Sequence, residues 1–279
     1  MFTAHTLPTS AATEGTVPTT AIPVRKPKLS FEEPIPVLWF GGNAFLTFLF
    51  DGFNLTFPEG ERFFVRAVHD HAAEIQDSTL QAQIRGFSGQ EGFHAKVHEE
   101  LFAALEAQGF DLAPFFARHD AYMRNVRKRP AALRLAVTAA LEHYTAVMAR
   151  VLFETDLLEG VHPTMRKLLV WHATEELEHC AVAFDVLRAT RPGYGLRALG
   201  FLIGSISVLA WITIGMRTFI KQSGVPRAQL WADFRNTRIR TKKARLFRSL
   251  LTYLKPGFHP HQRGGLANAH RHLAAEGLL

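Results

Sequence analysis

The stretch that decides the fold is H-A-T-E-E-L-E-H-C, residues 172–180, and it has a counterpart in Q-E-G-F-H-A-K-V-H, residues 90–98. Each contains a Glu-x-x-His pair, Glu176 with His179 and Glu91 with His94, the two glutamates standing 85 residues apart. On a helix, residues three apart share a face, so each pair aims a carboxylate and an imidazole in one direction. Two such helices facing each other can hold two metal ions if two further helices each contribute a Glu. The chain has candidates in that order: Glu61 ahead of the first pair and Glu142 between the two.

Register leaves alternatives open. Glu175 and Glu178 compete with Glu176, being an i, i+3 pair of their own without an imidazole. His172 falls on the face of Glu176 and His179, and His98 on that of Glu91 and His94. Each metal helix thus offers one extra histidine a turn away, as a further ligand, an orienting partner or a bystander. Glu142 is followed by His143, a fallback ligand. Glu142 is preferred because Leu135, Thr138, Thr145, Ala146 and Ala149 on its face are mostly small or polar. Glu59 and Glu74 are weaker rivals of Glu61.

The punctuation of the chain fits this plan. A helix is expected from Pro58-Glu59-Gly60, a second over about 88–108 after Gly86 or Gly89, and a crossover with a short helix over 110–129. A third is expected from Pro130 to about Glu159, and a fourth from Pro163, which can open a helix in its first turn, to about Thr190. Four long helices with one longer connection, carrying E, E-x-x-H, E, E-x-x-H, predict an all-α, ferritin-like four-helix bundle over residues 31–195. Residues 1–30, rich in Thr, Pro and Ala, predict a disordered leader without the basic-then-apolar layout of a signal peptide. Residues 35–57 form an apolar, aromatic lead-in, and residues 196–279 an additional C-terminal helical region.

Charge is uneven. The net charge is +7, yet residues 217–248 alone hold ten Lys/Arg against one acid, Asp233. The remainder is mildly acidic, a poor surface for nucleic acid. The basic segment follows nineteen uncharged residues, 198–216. That order predicts either a buried helix over the bundle or contact with an anionic membrane surface. A single clean span is disfavoured, because it would set the basic segment across the membrane from a cytoplasmic bundle. Cys180 is the single cysteine, so no intramolecular disulfide forms and a reducing, cytoplasmic setting is expected. The donor set, carboxylate and imidazole without thiolate, suits two transition-metal ions, iron first and manganese or zinc as alternatives.

The phrases Gln90-Glu-Gly-x-His94-x-x-x-His98-Glu99, Ala140-Leu-Glu-His143 and His172-x-x-Glu-Glu-x-Glu-His179-x-x-x-x-x-Asp185 closely resemble a bacterial family described as predicted metal-dependent hydrolases. The resemblance runs from about Phe57 to the tail. It implies a metal site at Glu61, Glu91, His94, Glu142, Glu176 and His179, with His98 and His172 close by. The ligand set favours a di-iron centre that activates O2 to oxidise a small hydrophobic substrate. The resemblance implies instead a hydrolase that uses a metal-activated water. Iron storage needs a cage that the sequence does not show.

Overall fold

The structure, a computed structural model, describes residues 22–279 apart from residue 238, and only the backbone over 239–244. Among the described residues it is all-α. The helices are α1 (Ala44–Asn54), α2 (Phe57–Ala72), α3 (Ser78–Ala107), α4 (Ala113–Val126), α5 (Ala131–Phe153) and α6 (Pro163–His179). They continue with α7 (Val182–Ala189), α8 (Gly193–Gln222), α9 (Arg227–Asn236), α10 (Ile239–Leu251) and α11 (Leu266–Ala275).

Local chemistry sets the helix starts. Pro58, Pro114 and Pro163 occupy first-turn positions of α2, α4 and α6, where a missing N–H costs nothing. Asp77 caps α3 by accepting from the Thr79 N–H at 2.8 Å. Two expectations fail. Gly86 and Gly89 lie inside α3 rather than ahead of it, because an extended segment crosses the helix there. A Cβ on Gly86 would lie 2.6 Å from Ile22, and one on Gly89 2.6 Å from Val24. The fourth helix ends at His179 and restarts at Val182, a break that Cys180 and Ala181 do not announce.

The helices α2, α3, α5 and α6 form a ring, α2 and α6 each packing on both α3 and α5. Two apolar clusters fill it. One includes Leu55, Val97, Ala146 and Trp171, the other Phe63, Phe87, Ala140 and Val182. On α3 and α5 the expected metal-binding residues fall in sequence between the members of one cluster and those of the other, and Glu61 falls between Leu55, just before α2, and Phe63. The polar layer therefore has apolar packing on both sides.

The leader expected over residues 1–30 lies outside the described residues as far as residue 21. From residue 22 it differs from expectation: the segment is laid on α3, and Arg25 reaches α6. The C-terminal region also wraps the bundle, α8 against α5 and α1, α11 against α6. Helix α8 is two-faced. One side is seated on α5 and α1, while Leu202 (56% exposed), Ile206 (62%) and Leu209 (62%) point outward. It is long and apolar enough to cross a bilayer by length and composition, and only 22% of its apolar window is buried. The expectation of a simply buried covering helix fails on that face.

Candidate metal centre

The structure brings Glu61 of α2, Glu91 and His94 of α3, Glu142 of α5, and Glu176 and His179 of α6 together, all buried. Helical spacing does most of this, because Glu91/His94 and Glu176/His179 sit one turn apart on facing helices. The arrangement is nearly symmetric. His94 Nδ1 lies 3.9 Å from Glu61 Oε1, 3.7 Å from Glu91 Oε2 and 3.8 Å from Glu176 Oε1. His179 Nε2 lies 3.5 Å from Glu91 Oε1, 3.4 Å from Glu142 Oε2 and 3.5 Å from Glu176 Oε2. Glu91 and Glu176 thus turn one oxygen toward each histidine. These separations are too long for hydrogen bonds. They approach the roughly 3.0–3.5 Å between donors that each sit about 2.0–2.2 Å from one ion.

Three overlapping groups here could hold a metal ion: Glu61, His94 and His172; Glu91, His94 and Glu176; Glu91, Glu142 and His179. The donor atoms fit that role. Both oxygens of Glu61, Glu91 and Glu142, together with Glu176 Oε2, His94 Nδ1 and His179 Nε2, are buried without a hydrogen-bond partner among the described residues. Such atoms are costly unless a cation satisfies them. The protonation pattern agrees. Burial, with Glu91 next, pushes the Glu61 and Glu142 carboxyls well above the usual range. Burial opposes charge on His94 and His179, yet neighbouring carboxylates (Glu175 first for His94, Glu176 for His179) raise both imidazoles. Burial also opposes charge on Glu176, but His179 and His172 hold it well below the carboxylate range. These directions are those of a cluster with excess negative charge, which a cation would neutralise.

An outer belt fixes the imidazoles of His94 and His179. His94 Nε2 donates to Glu175 Oε2 at 2.9 Å, and His179 Nδ1 donates to Gln90 Oε1 at 2.8 Å. Each bond leaves the other ring nitrogen facing the centre. Arg25 donates to Glu175 and, through both terminal nitrogens, to Glu178 at 2.7 and 2.8 Å. Gln90 Nε2 donates to Glu178 at 2.8 Å. The belt therefore closes from one histidine to the other. Glu175, Gln90, Glu178 and Arg25 were not foreseen in this role, although three of them stand within or beside the two quoted stretches.

The extra histidines separate. His172 Nε2 donates to Glu176 Oε1 at 2.9 Å and lies 3.7 Å from Glu61, while His98 Nε2 donates to His172 Nδ1 at 2.7 Å. Burial first, then the neighbouring imidazoles, lowers both and keeps them neutral. His143 is a correction. It faces away from the centre, its Nε2 donating to the carbonyls of Ser249 (3.2 Å) and Leu250 (3.1 Å), so it is not available as a substitute for Glu142. Cys180 is buried and belongs to none of the metal-holding groups, and burial pushes its thiol up to about 11.

A cavity of about 470 Å³ leads to Glu61 between α2, α4, α5 and α8. A smaller space of about 50 Å³ touches His98, His172 and Glu176, and Phe53, Phe57 and Thr145 line both. The Phe57 ring lies 4.7 Å from that of His98 and 4.5 Å from that of His172.

Fold and site together define an all-helical protein with a buried carboxylate–histidine cluster able to hold metal. Residues 23–264 match the family described as predicted metal-dependent hydrolase, and the chain belongs to that family. No curated protein and no solved structure matches it.

Proposed function

We propose that this chain is a metal-dependent enzyme with a two-ion, carboxylate-bridged centre in a ferritin-like bundle, acting on a small hydrophobic substrate. Glu61 and His94 would serve one ion, Glu142 and His179 the other, and Glu91 and Glu176 both. The observation that carries this reading is the set of partnerless buried donor atoms on these six residues. Two divalent ions would balance the four carboxylates. The absence of thiolate suits iron, manganese or zinc.

Hydrolysis is the leading chemistry, favoured by the family description. Bound ions supply Lewis acidity and an activated water, or with iron a redox couple. The protein's part is to exclude bulk water, orient the substrate through the cavity, and hold a proton path. His98 Nε2–H to His172 Nδ1, and His172 Nε2–H to Glu176, form such a path from the smaller space inward. A second reading, di-iron oxidation of an apolar molecule, is favoured by a specific feature. Aromatic and aliphatic side chains line most of the cavity near Glu61, with no lysine or arginine among the described residues at that end to meet a phosphate or developing anion.

The test compares metal forms. The manganese or zinc protein is expected to hydrolyse acyl nitrophenyl esters, with activity lost in Glu142→Ala. Oxygen uptake by the anaerobically prepared ferrous protein, without esterase activity in any metal form, would move the assignment to the oxidase. A protein that binds none of these metals would remove both.

We also propose that the chain rests on the cytoplasmic face of a membrane through α8 and the basic segment after it. An exposed apolar stripe at Leu199, Leu202, Ile206 and Leu209, followed by net +9 over residues 217–248, supports this. The protein is expected to co-sediment with anionic vesicles, to release as salt rises, and to lose binding in Leu202→Glu/Ile206→Glu. Wild-type protein left in the supernatant at low salt would sink this placement.

A further inference from the structure

The cavity beside Glu61 has a shape and a lining that the metal centre alone does not explain. Leu133, Val137, Leu141 and Thr145 line it from α5 at intervals of four residues. At 1.5 Å per residue this stripe extends over about 18 Å. With Phe57, Glu61 and Phe64 of α2 and Ile203 and Val208 of α8 also in its wall, the space is a slot that runs along α5.

Its polar groups are mostly spoken for. Tyr122 and Ser207 share a hydrogen bond at 2.6 Å, and the Tyr144 hydroxyl donates to Ser205 at 2.7 Å. His119 is packed against Phe115 and Trp211, and burial lowers it to about 4, so it is neutral. Arg129 and Arg134 stand at the Leu133 end, Arg134 paired with Asp70 at 2.8 Å. Along most of its length the slot offers hydrocarbon and ring surface, where a polar ligand would lose its hydration without replacement.

We propose that this slot is the binding site of a single linear hydrocarbon chain, of the fatty-acyl type, lying along α5 with one portion beside Glu61. The assignment rests on the reading of that centre as the reactive end. It specifies the substrate class for either chemistry. The contrast is with a rigid fused-ring molecule, which cannot bend to follow the α5 stripe.

The probe is cis-parinaric acid, a linear fluorescent fatty acid, titrated into the full-length protein in metal-loaded and chelator-treated forms. Saturable binding is expected, displaced by palmitic acid and not by the rigid bile acid cholate. Leu141→Trp and Val137→Trp fill the middle of the slot and are expected to weaken binding about tenfold or more. Val208→Trp brings the same obstruction from α8 should either α5 variant fail to fold, as judged by its melting transition. Presenting the probe as monomer or within anionic vesicles distinguishes a soluble from a membrane source, and binding in either arm supports the assignment. Unchanged affinity in the folded filling variants would locate the probe elsewhere, for instance on the outer face of α8, and overturn it. Equal displacement by cholate would also overturn it, as would no binding in either arm. Binding needs neither metal nor turnover. Probe uptake by a chain that holds no metal would leave this inference standing while the enzymatic reading fell, and metal uptake without probe binding would do the reverse.

Discussion

Glu91→Ala and Glu176→Ala are each expected to reduce metal content from the proposed two ions per chain to nearly none. Each carboxylate turns one oxygen toward His94 and the other toward His179, so either change strips a donor from both positions at once. Glu61→Ala and Glu142→Ala, the first facing His94 and not His179 and the second the reverse, are expected to spare the opposite position more. Glu175→Gln reaches the centre only through His94 and is expected to weaken affinity by about 10–100-fold. Elemental analysis after desalting reads these outcomes, and full occupancy in Glu176→Ala would refute the register.

Stability should move in the opposite direction in the chelated protein. Glu91 is part of what raises Glu61 and Glu142, so its removal relieves repulsion. Chelated Glu91→Ala is expected to melt above chelated wild type and below metal-loaded wild type. The sign of the pH dependence follows from the directions of the shifts. Glu61, Glu142, His94 and His179 are raised in the folded chain, which therefore holds more protons than the unfolded one. Stability then falls as pH rises beyond the ordinary carboxylate and imidazole ranges. The lowered groups oppose this, Glu176 only in the acid range and His98, His172, His119 and His143 around the ordinary imidazole value, while the buried Asp51, raised to about 8, adds to the fall above neutrality. The chelated protein is accordingly expected to be less stable at pH 8 than at pH 6, with metal largely abolishing the difference.

What was legible in the sequence was periodic. Glu61, Glu91, His94, Glu142, Glu176 and His179 converge because helical spacing carries a one-dimensional pattern faithfully into a shared face, and proline punctuation marked where α2, α5 and α6 begin. Contacts made across long sequence separations were not legible. Gly86 and Gly89 read as a break because the segment that lies on them, Ile22 to Val24, comes more than sixty residues earlier. Glu175 read as a rival of Glu176 because adjacency in sequence hides that they face different partners, one the back of His94 and the other its front. His143 read as a substitute for Glu142, yet one residue turns a helix by about 100°. That rotation takes it to the carbonyls of Ser249 and Leu250.

The same long-range logic governs how α8 is seated, and Gly200→Val and Gly215→Val are expected to destabilise the fold by about 3 kcal/mol or more. A Cβ on Gly200 would lie 2.5 Å from the Ala136 carbonyl carbon and oxygen of α5, and one on Gly215 would lie 2.6 Å from the Gly52 oxygen of α1. Both obstacles are helix backbone, which cannot turn aside as a side chain can, so α8 must lift from both neighbours. Its inner face contributes Ile203, Val208 and Trp211 to the wall of the cavity, so lifting it opens the cavity to solvent. Gly92→Ala is the matched control: it lies in α3 with nothing within 4 Å of a new Cβ. It is expected to be neutral or to gain up to about 1 kcal/mol from helix propensity. Urea unfolding of the three variants reads the contrast. A Gly200→Val protein within about 0.5 kcal/mol of wild type, the range of ordinary surface changes, would mean that α8 is not held against α5 at this distance. The cavity would then lack its fourth wall.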